Sequence, residues 1–535
     1  MTESWRPDLT LPPVDGLSQG ADTASFNACV ALCDRHAGSG RVGLRWLSAL
    51  GASEEVTFDT LSDRAGRFAN VLVGRGVRAG DRVAGLIPRI PDLLTVILGT
   101  LRVGAVYQPL FTAFGPKAIA SRLEVSCPRL VVTDGANRSK LAGLPYPVLT
   151  IDPSDGSEGL AGELASADPN FPPAMMTGAD PFLMMFTSGT TGTPKGVMVP
   201  NHMLRAVASY MHYGLDLRDN DRFWNLADPG WAYGLYYGVL GPLLMGNACT
   251  LSEATFSVER SYAVIDRFGI TNLAGAPTAY RQMAANPIAP PQGVRVVSSA
   301  GETLDPETAQ WLSTSFACPA RDHFGQTEVG MVLCDHHGLD QPRSPGTVGL
   351  AVPGFHVAVV SRNGVPCEAG EPGLLAVDRR SPLFWFQGYY EGADAPFAGD
   401  YYLTGDNARQ EPDGTFRFVG REDDVITSSG YRIGPSEVEN ALMEHPAVLD
   451  TAVIGKPDPV RTELVKAFVV LKDGFLPSDA LGEEIGQFVK QRLAAHAYPR
   501  EISFVTELPK TASGKMQRFV LRAREAEQQC KGAGQ

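Results

Sequence analysis

Between Thr187 and Gly196 the chain packs five hydroxyl side chains, three glycines and one lysine, framed by the apolar runs Pro181–Phe186 and Val197–Val199. Such a segment constrains the fold on both sides of it. The first apolar run reads as the end of a buried strand. The glycines let backbone N–H groups turn toward an anion, and the hydroxyls and Lys195 add donors and charge. A strand delivering such a loop describes a phosphate cradle. It is not a Walker A loop, because Pro194 rather than glycine precedes Lys195 and no Ser or Thr follows it. A plain surface turn draws on the same residue types; the motifs downstream favour the cradle.

Composition narrows the class. At 535 residues, 44% hydrophobic and 20% charged, the chain is globular and too long for one ordinary domain. A net charge of −13 argues against nucleic acid as a partner but not against ATP, which reads local basic groups. The N-terminus has no apolar signal core and no run of 18 apolar residues exists, so no membrane span is expected. Eight scattered cysteines read as reduced thiols of a cytoplasmic protein. Cys334-Asp335-His336-His337 hints at metal, but no second ligand pair stands at zinc-site spacing, so a polar loop is expected.

Periodicity gives the organisation. Residues 1–55 read as a surface wrap. A helix over Leu61–Val73, a strand over Asp81–Ile87, a helix over Leu93–Leu101 and a strand from Ala105 imply a parallel α/β sheet. Ser154–Ala179 reads as a polar loop, 200–320 as a second α/β region, and Gly349–Phe418 as hairpin-rich. After Arg421 the pattern changes. A helix begins near Pro435, strands cover Val448–Ile454, Leu464–Leu471 and Ile502–Leu508, and Asp479–Leu493 is an amphipathic helix.

Several motifs carry chemistry. Asp322-His-Phe-Gly-Gln-Thr-Glu328 offers an aromatic face and a carboxylate suited to magnesium. Tyr401-Tyr-Leu-Thr-Gly-Asp406 ends in a carboxylate able to accept both hydroxyls of a ribose. Leu508-Pro-Lys-Thr-Ala-Ser-Gly-Lys515 is a basic, glycine-containing loop. Each alone matches an ordinary turn or solvated loop.

Together, and in this order, they resemble the adenylate-forming (AMP-binding) superfamily, most closely its medium-chain acyl-CoA synthetases. The similarity runs from about Leu61 to Ala523. The resemblance implies an α/β fold. A large N-terminal domain of parallel-rich sheets with a β-rich subdomain, residues 1–421, precedes a small α+β lid domain, 422–535, on a hinge at Asp423. It implies an ATP site of Thr187, Ser188, Gly189, Thr190, Thr191, Gly192, Lys195, Gly301, Glu302, Asp322, His323, Phe324, Gly325, Gln326, Thr327, Asp406, Arg421 and Lys515. Lys515, Thr187 and Glu328 are the catalytic residues, and Glu328 is the magnesium ligand. Trp231, Tyr236, Ala300 and Gly325 would line the acid pocket, with Tyr237 nearby; Trp231 reads equally well as core. Ser429, Gly430, Tyr431, Arg432, Arg461 and Lys490 would serve coenzyme A, and Lys510 would be a bystander.

The function so implied is an acid:CoA ligase that forms an acyl-adenylate from ATP, then a thioester, releasing pyrophosphate and AMP. Its partners are ATP, Mg2+, CoA and a carboxylic acid. In related acetate enzymes a tryptophan occupies the position of Gly325, so glycine implies an acid longer than acetate, medium-chain or aromatic. Loading of a carrier-protein thiol, or a non-catalytic nucleotide-binding relative, are the alternatives. The sequence does not specify the oligomeric state.

Overall fold

The computed structural model describes residues 11–14, 26–153, 159–187, 194–341, 343–344, 346–392, 395–422, 424, 426–428, 431–458, 462–493, 498–510 and 516–532, with backbone only at 427, 431–432 and 527–532. Two six-stranded sheets dominate it. In the first the strand order is Val148–Thr150, Leu130–Thr133, Arg82–Leu86, Val106–Pro109, Pro181–Thr187 and Lys195–Pro200. In the second it is Leu350–Ala351, Gly330–Cys334, Ala320–Gln326, Val296–Ala300, Asn272–Gly275 and Phe223–Asn225. Most pairs are parallel. The strands are short and largely buried, as expected where helices cover a parallel sheet. Each sheet turns antiparallel where a chemical motif sits: Pro181–Thr187 against Lys195–Pro200, and Ala320–Gln326 against Gly330–Cys334.

The helices follow local rules. Phe58–Gly74 starts one turn earlier than its apolar stripe predicts, because Thr57 caps it by accepting the Thr60 N–H at 3.2 Å. Leu61, Ala65, Phe68 and Leu72 bury one face. They pack on Pro91–Arg102, which opens with proline in its first turn and is buried from Leu93 onward.

Residues 357–421 form a five-stranded antiparallel sheet, in line with the hairpin reading. Beyond it, Ile426–Ser428, Tyr431–Ile433, Val448–Asp458, Thr462–Leu471 and Glu501–Phe504 pair only with one another among the described strands. Val438, Leu442, Ile485 and Val489, from the helices Pro435–Met443 and Asp479–Arg492, close a separate core over Val453, Val465 and Ala467.

Three segments depart from the sequence expectation. Val42–Leu47 and Ser53–Thr57 are strands of a three-stranded sheet with Cys249–Ser252, so this stretch is structural rather than a surface wrap. The polar run 154–179 contains the helix Gly159–Ser166. A final helix, Arg518–Gly532, follows the lysine loop. Among the described helices none is long and apolar enough to cross a membrane, and the described cysteines are free thiols.

Candidate active site

Asp406 and Arg421 stand opposite each other on paired antiparallel strands. The Asp406 carboxylate is buried, and Arg421 Nη1 lies 3.4 Å from its Oδ1 while donating to the Thr404 carbonyl at 3.2 Å. Gly405 between them has φ +74°, and a Cβ there would stand 3.1 Å from the Arg421 guanidinium. The positive backbone angle favours glycine here, and a side chain would also press on the arginine lying across it.

The strand Ala320–Gln326 distributes the next motif by its two-residue alternation. Asp322 receives the N–H of Leu304 at 3.1 Å, and burial pushes its carboxyl up to about 7. His323 turns inward: Nδ1 meets the Tyr210 hydroxyl at 2.8 Å, Nε2 faces the Asp335 carbonyl at 3.3 Å, and burial holds it neutral, with its pKa lowered to about 3. Its imidazole therefore belongs to the core, and any contact with a nucleotide is left to its backbone. Phe324 stays half-buried, 6.2 Å from the ring of Phe418.

The space expected beside Gly325 is filled. A Cβ there would meet the Gly330 carbonyl oxygen at 2.4 Å and Met331 Sδ at 2.7 Å. Glycine is set here by strand approach, and Met331 takes the volume of the missing side chain. Next, the Gln326 amide donates to Asp406 Oδ2 at 2.6 Å, tying this motif to the carboxylate–arginine pair. Thr327 offers its carbonyl to the Tyr236 hydroxyl at 3.3 Å. Glu328 is buried and accepts the Tyr389 hydroxyl at 2.9 Å.

At the cradle, Thr187 and Lys195 are cross-strand partners. Ser188, Gly189, Thr190, Thr191 and Gly192 lie outside the described residues. Lys195 Nζ sits 4.7 Å over the ring of Tyr389, the same tyrosine that binds Glu328. Sequence reasoning missed Tyr389 and Tyr402, whose hydroxyl donates to Gln326 Oε1 at 3.0 Å. The aromatic run Phe384-Trp-Phe-Gln-Gly-Tyr-Tyr390 was the available signal.

Glu302, just past Gly301, accepts the Thr278 hydroxyl at 3.0 Å and Arg281 Nη2 at 2.9 Å. Ala300 is buried at its strand end. Trp231 packs 5.3 Å from both Phe111 and Phe114, and its buried Nε1 has no hydrogen-bond partner among the described residues. Tyr236 and Tyr237 are fully buried, and the Tyr237 hydroxyl accepts the Met331 N–H at 2.7 Å.

Asp423, Ser429, Gly430, Arg461 and Lys515 lie outside the described residues, as do the side chains of Tyr431 and Arg432. Lys490 is exposed, its ammonium 5.2 Å over the ring of Tyr498. Lys510 pairs with Asp450 at 2.6 Å, and its backbone bridges Met516.

No three His, Cys, Asp or Glu gather as a metal cluster among the described residues. His336 is buried and His337 partly buried, against the carbonyls of Ala351 and Val297, and desolvation lowers the pKa of both. Glu328, a single buried carboxylate, suits a magnesium ion that is held mainly by phosphates rather than by a protein cage.

The AMP-binding enzyme family model matches residues 35–390, and the AMP-binding enzyme C-terminal domain model matches 437–515. The acetyl-coenzyme A synthetase of Bacillus subtilis (strain 168) is 39% identical, over 94% of this chain and 91% of that one. The mitochondrial acyl-coenzyme A synthetase ACSM2 of Rattus norvegicus is 34% identical, over 94% and 92%. Among solved structures, an acyl-CoA synthetase of Brucella canis is 52% identical with a TM-score of 0.77, covering 96% of this chain and 97% of that one. The anthranilate CoA ligase AuaEII, in complex with anthranoyl-AMP, is 27% identical with a TM-score of 0.86, covering 96% and 99%. The chain therefore belongs to the AMP-binding enzyme family, as an acyl-CoA synthetase: an ATP-dependent, AMP-forming acid:CoA ligase.

Proposed function

We propose that this ligase activates a medium-chain or aromatic carboxylic acid with ATP and magnesium and transfers the acyl group to coenzyme A. The reading of the site is carried by one observation: Arg421, Asp406 and Gln326 form a connected polar chain that joins motifs far apart in sequence. Asp406 accepts the ribose hydroxyls with Arg421 beside it, and Phe324 gives its face to adenine. Thr187 and Lys195 hold phosphate oxygens together with Ser188–Gly192, and Thr327 holds the α-phosphate. Magnesium on Glu328 would neutralise charge on the phosphoryl oxygens. Lys515 neutralises charge as the carboxylate attacks the α-phosphorus and pyrophosphate leaves.

The second half-reaction needs a different arrangement. Residues 422–535 act as a lid that turns about Asp423, withdrawing Lys515 and bringing Gly430 to the adenylate. Ser429, Tyr431, Arg432, Arg461 and Lys490 then serve coenzyme A, whose thiol displaces AMP.

The acid class rests on the aromatic Phe111–Phe114–Trp231 cluster rather than on position 325, whose space is filled. Trp231 Nε1, buried and without a hydrogen-bond partner among the described residues, is a donor for the carboxylate or acyl oxygen of such an acid. Each buried methylene is worth about 0.8 kcal/mol, roughly fourfold, so neighbouring chain lengths should all react. Measuring kcat/KM for acids from acetate to decanoate, and for benzoate, tests this. A maximum at six to ten carbons or at benzoate is the expected result; a maximum at acetate would overturn it.

A further inference from the structure

Tyr389 touches two groups of opposite charge that come from different sheets. Its hydroxyl donates to Glu328 Oε1 at 2.9 Å, and Lys195 Nζ lies 4.7 Å from its ring centroid. Its backbone bridges Val197, two residues beyond Lys195, and its ring packs edge-on against Phe386 at 5.1 Å. The tyrosine is thus fixed from three sides, by a strand, a ring and a carboxylate. Burial raises the pKa of its hydroxyl, so it remains a donor at neutral pH. The phenol does both jobs at once: phenylalanine would keep the ring but lose the donor, and glutamine would keep a donor but lose the ring face.

We propose that Tyr389 is a positioning residue for adenylate formation, orienting the Glu328 carboxylate with its hydroxyl and seating the Lys195 ammonium on its ring. The inference rests on the reading of Glu328 and Lys195 given above. A carboxylate that carries a metal is held in place by its own hydrogen-bond partners, and losing one typically weakens metal binding 10- to 100-fold. Glu328 is buried, and Tyr389 supplies one such partner. The same residue seats the Lys195 ammonium over its ring through a cation–π contact, so one side chain touches both charged groups.

The test is calorimetric titration of the full-length protein with a non-hydrolysable ATP analogue at graded magnesium concentrations. Tyr389→Phe should bind the analogue like wild type without magnesium, while the magnesium concentration for half-maximal enhancement rises about tenfold. Adding Tyr389→Phe to Glu328→Gln should change nothing further, since both act through one carboxylate. Tyr389→Leu, which also removes the ring, should in addition weaken metal-free binding. Tyr390→Phe, one residue on, should behave as wild type and controls for general loosening. An unchanged magnesium dependence in Tyr389→Phe, or equal losses with and without magnesium, would overturn the inference while leaving the site reading intact. A wild-type protein that fails to bind the analogue would overturn both.

Discussion

The side-chain amide of Gln326 links two sheets: Nε2 donates to Asp406 Oδ2 at 2.6 Å and to the Thr404 carbonyl at 2.8 Å, while Oε1 accepts from Tyr402 at 3.0 Å. Every polar atom of this residue is engaged, so its position fixes the Asp406 carboxylate relative to the Phe324–Glu328 segment. Gln326→Glu would set a second carboxylate against Asp406. The expected outcome is a KM for ATP raised at least about tenfold, the equivalent of roughly 1.4 kcal/mol, with a smaller change for the acid. Steady-state kinetics with ATP and the acid varied separately measure both; an unaltered KM for ATP would show that this link does not serve the nucleotide.

Gly325 is a packing requirement. Its Cβ would fall 2.4 Å from a backbone oxygen and 2.7 Å from the Met331 Cα. Gly325→Ala should therefore destabilise the protein by about 1–3 kcal/mol, through a forced shift of Gly330–Cys334. Urea denaturation followed by tryptophan fluorescence reads this. A stability within error of wild type would mean that the strand yields freely, and that larger residues can be installed here to shorten the acid site.

Asp322 carries a pH signature. Its folded pKa of about 7 lies above the 3.8 of an ordinary aspartate, which stands for the unfolded chain, and burial is the chief cause. The folded state therefore holds a proton that the unfolded state has released, and stability declines as pH rises from about 4 to 7. Asp322→Asn removes that penalty. The variant should gain little over wild type at pH 4.5 and about 1–2 kcal/mol at pH 8, discounted from the ~4 kcal/mol that three pKa units carry because the group is only partly buried. Denaturation midpoints of both proteins across that range decide it; a gap independent of pH would contradict the shift.

Arg518 opens the last helix and holds two carboxylates at once. Its guanidinium reaches Glu439 at 2.7 Å and Asp424 at 3.2 Å, and Arg522 reaches the same Asp424 at 2.7 Å. Arg518→Met would leave Glu439 and Asp424 poorly compensated, at a cost of about 2–4 kcal/mol. Thermal unfolding should show an earlier transition that Glu439→Leu partly restores in the double variant. Independent, additive effects would contradict a shared ion-pair network.

Where local signals were strong, the sequence was readable. The stripe at Leu61, Ala65, Phe68 and Leu72 predicted its helix, and Pro435 predicted a helix start. The strands Val42–Leu47 and Ser53–Thr57 were not legible, because they are short, carry Arg45, Glu54 and Glu55, and gain their partner Cys249–Ser252 from about two hundred residues away. The helix Arg518–Gly532 is rich in charge and docks through ion pairs such as Lys466–Glu525 at 2.7 Å, which no apolar periodicity announces. At the site, motifs singled out Asp406, Arg421 and Glu328, and the structure sets Arg421 beside Asp406 and Tyr389 on Glu328. Tyr389 and Tyr402 escaped because their roles lie in contacts across strands, 61 residues from Glu328 in one case and 76 from Gln326 in the other. His323 illustrates the converse: it sits within a chemical motif, yet strand alternation sends its ring into the core.

The most direct test separates the two half-reactions in Lys515→Ala. Acid-dependent exchange of labelled pyrophosphate into ATP reports adenylate formation, and AMP release from supplied acyl-adenylate plus coenzyme A reports thioester formation. The predicted result is a loss of exchange by about two to three orders of magnitude with thioester formation nearly unchanged, as expected for a charge that acts only on the phosphoryl transition state. Equal losses in both steps, or exchange at the wild-type rate, would contradict the assignment of Lys515 and the alternating lid built on it.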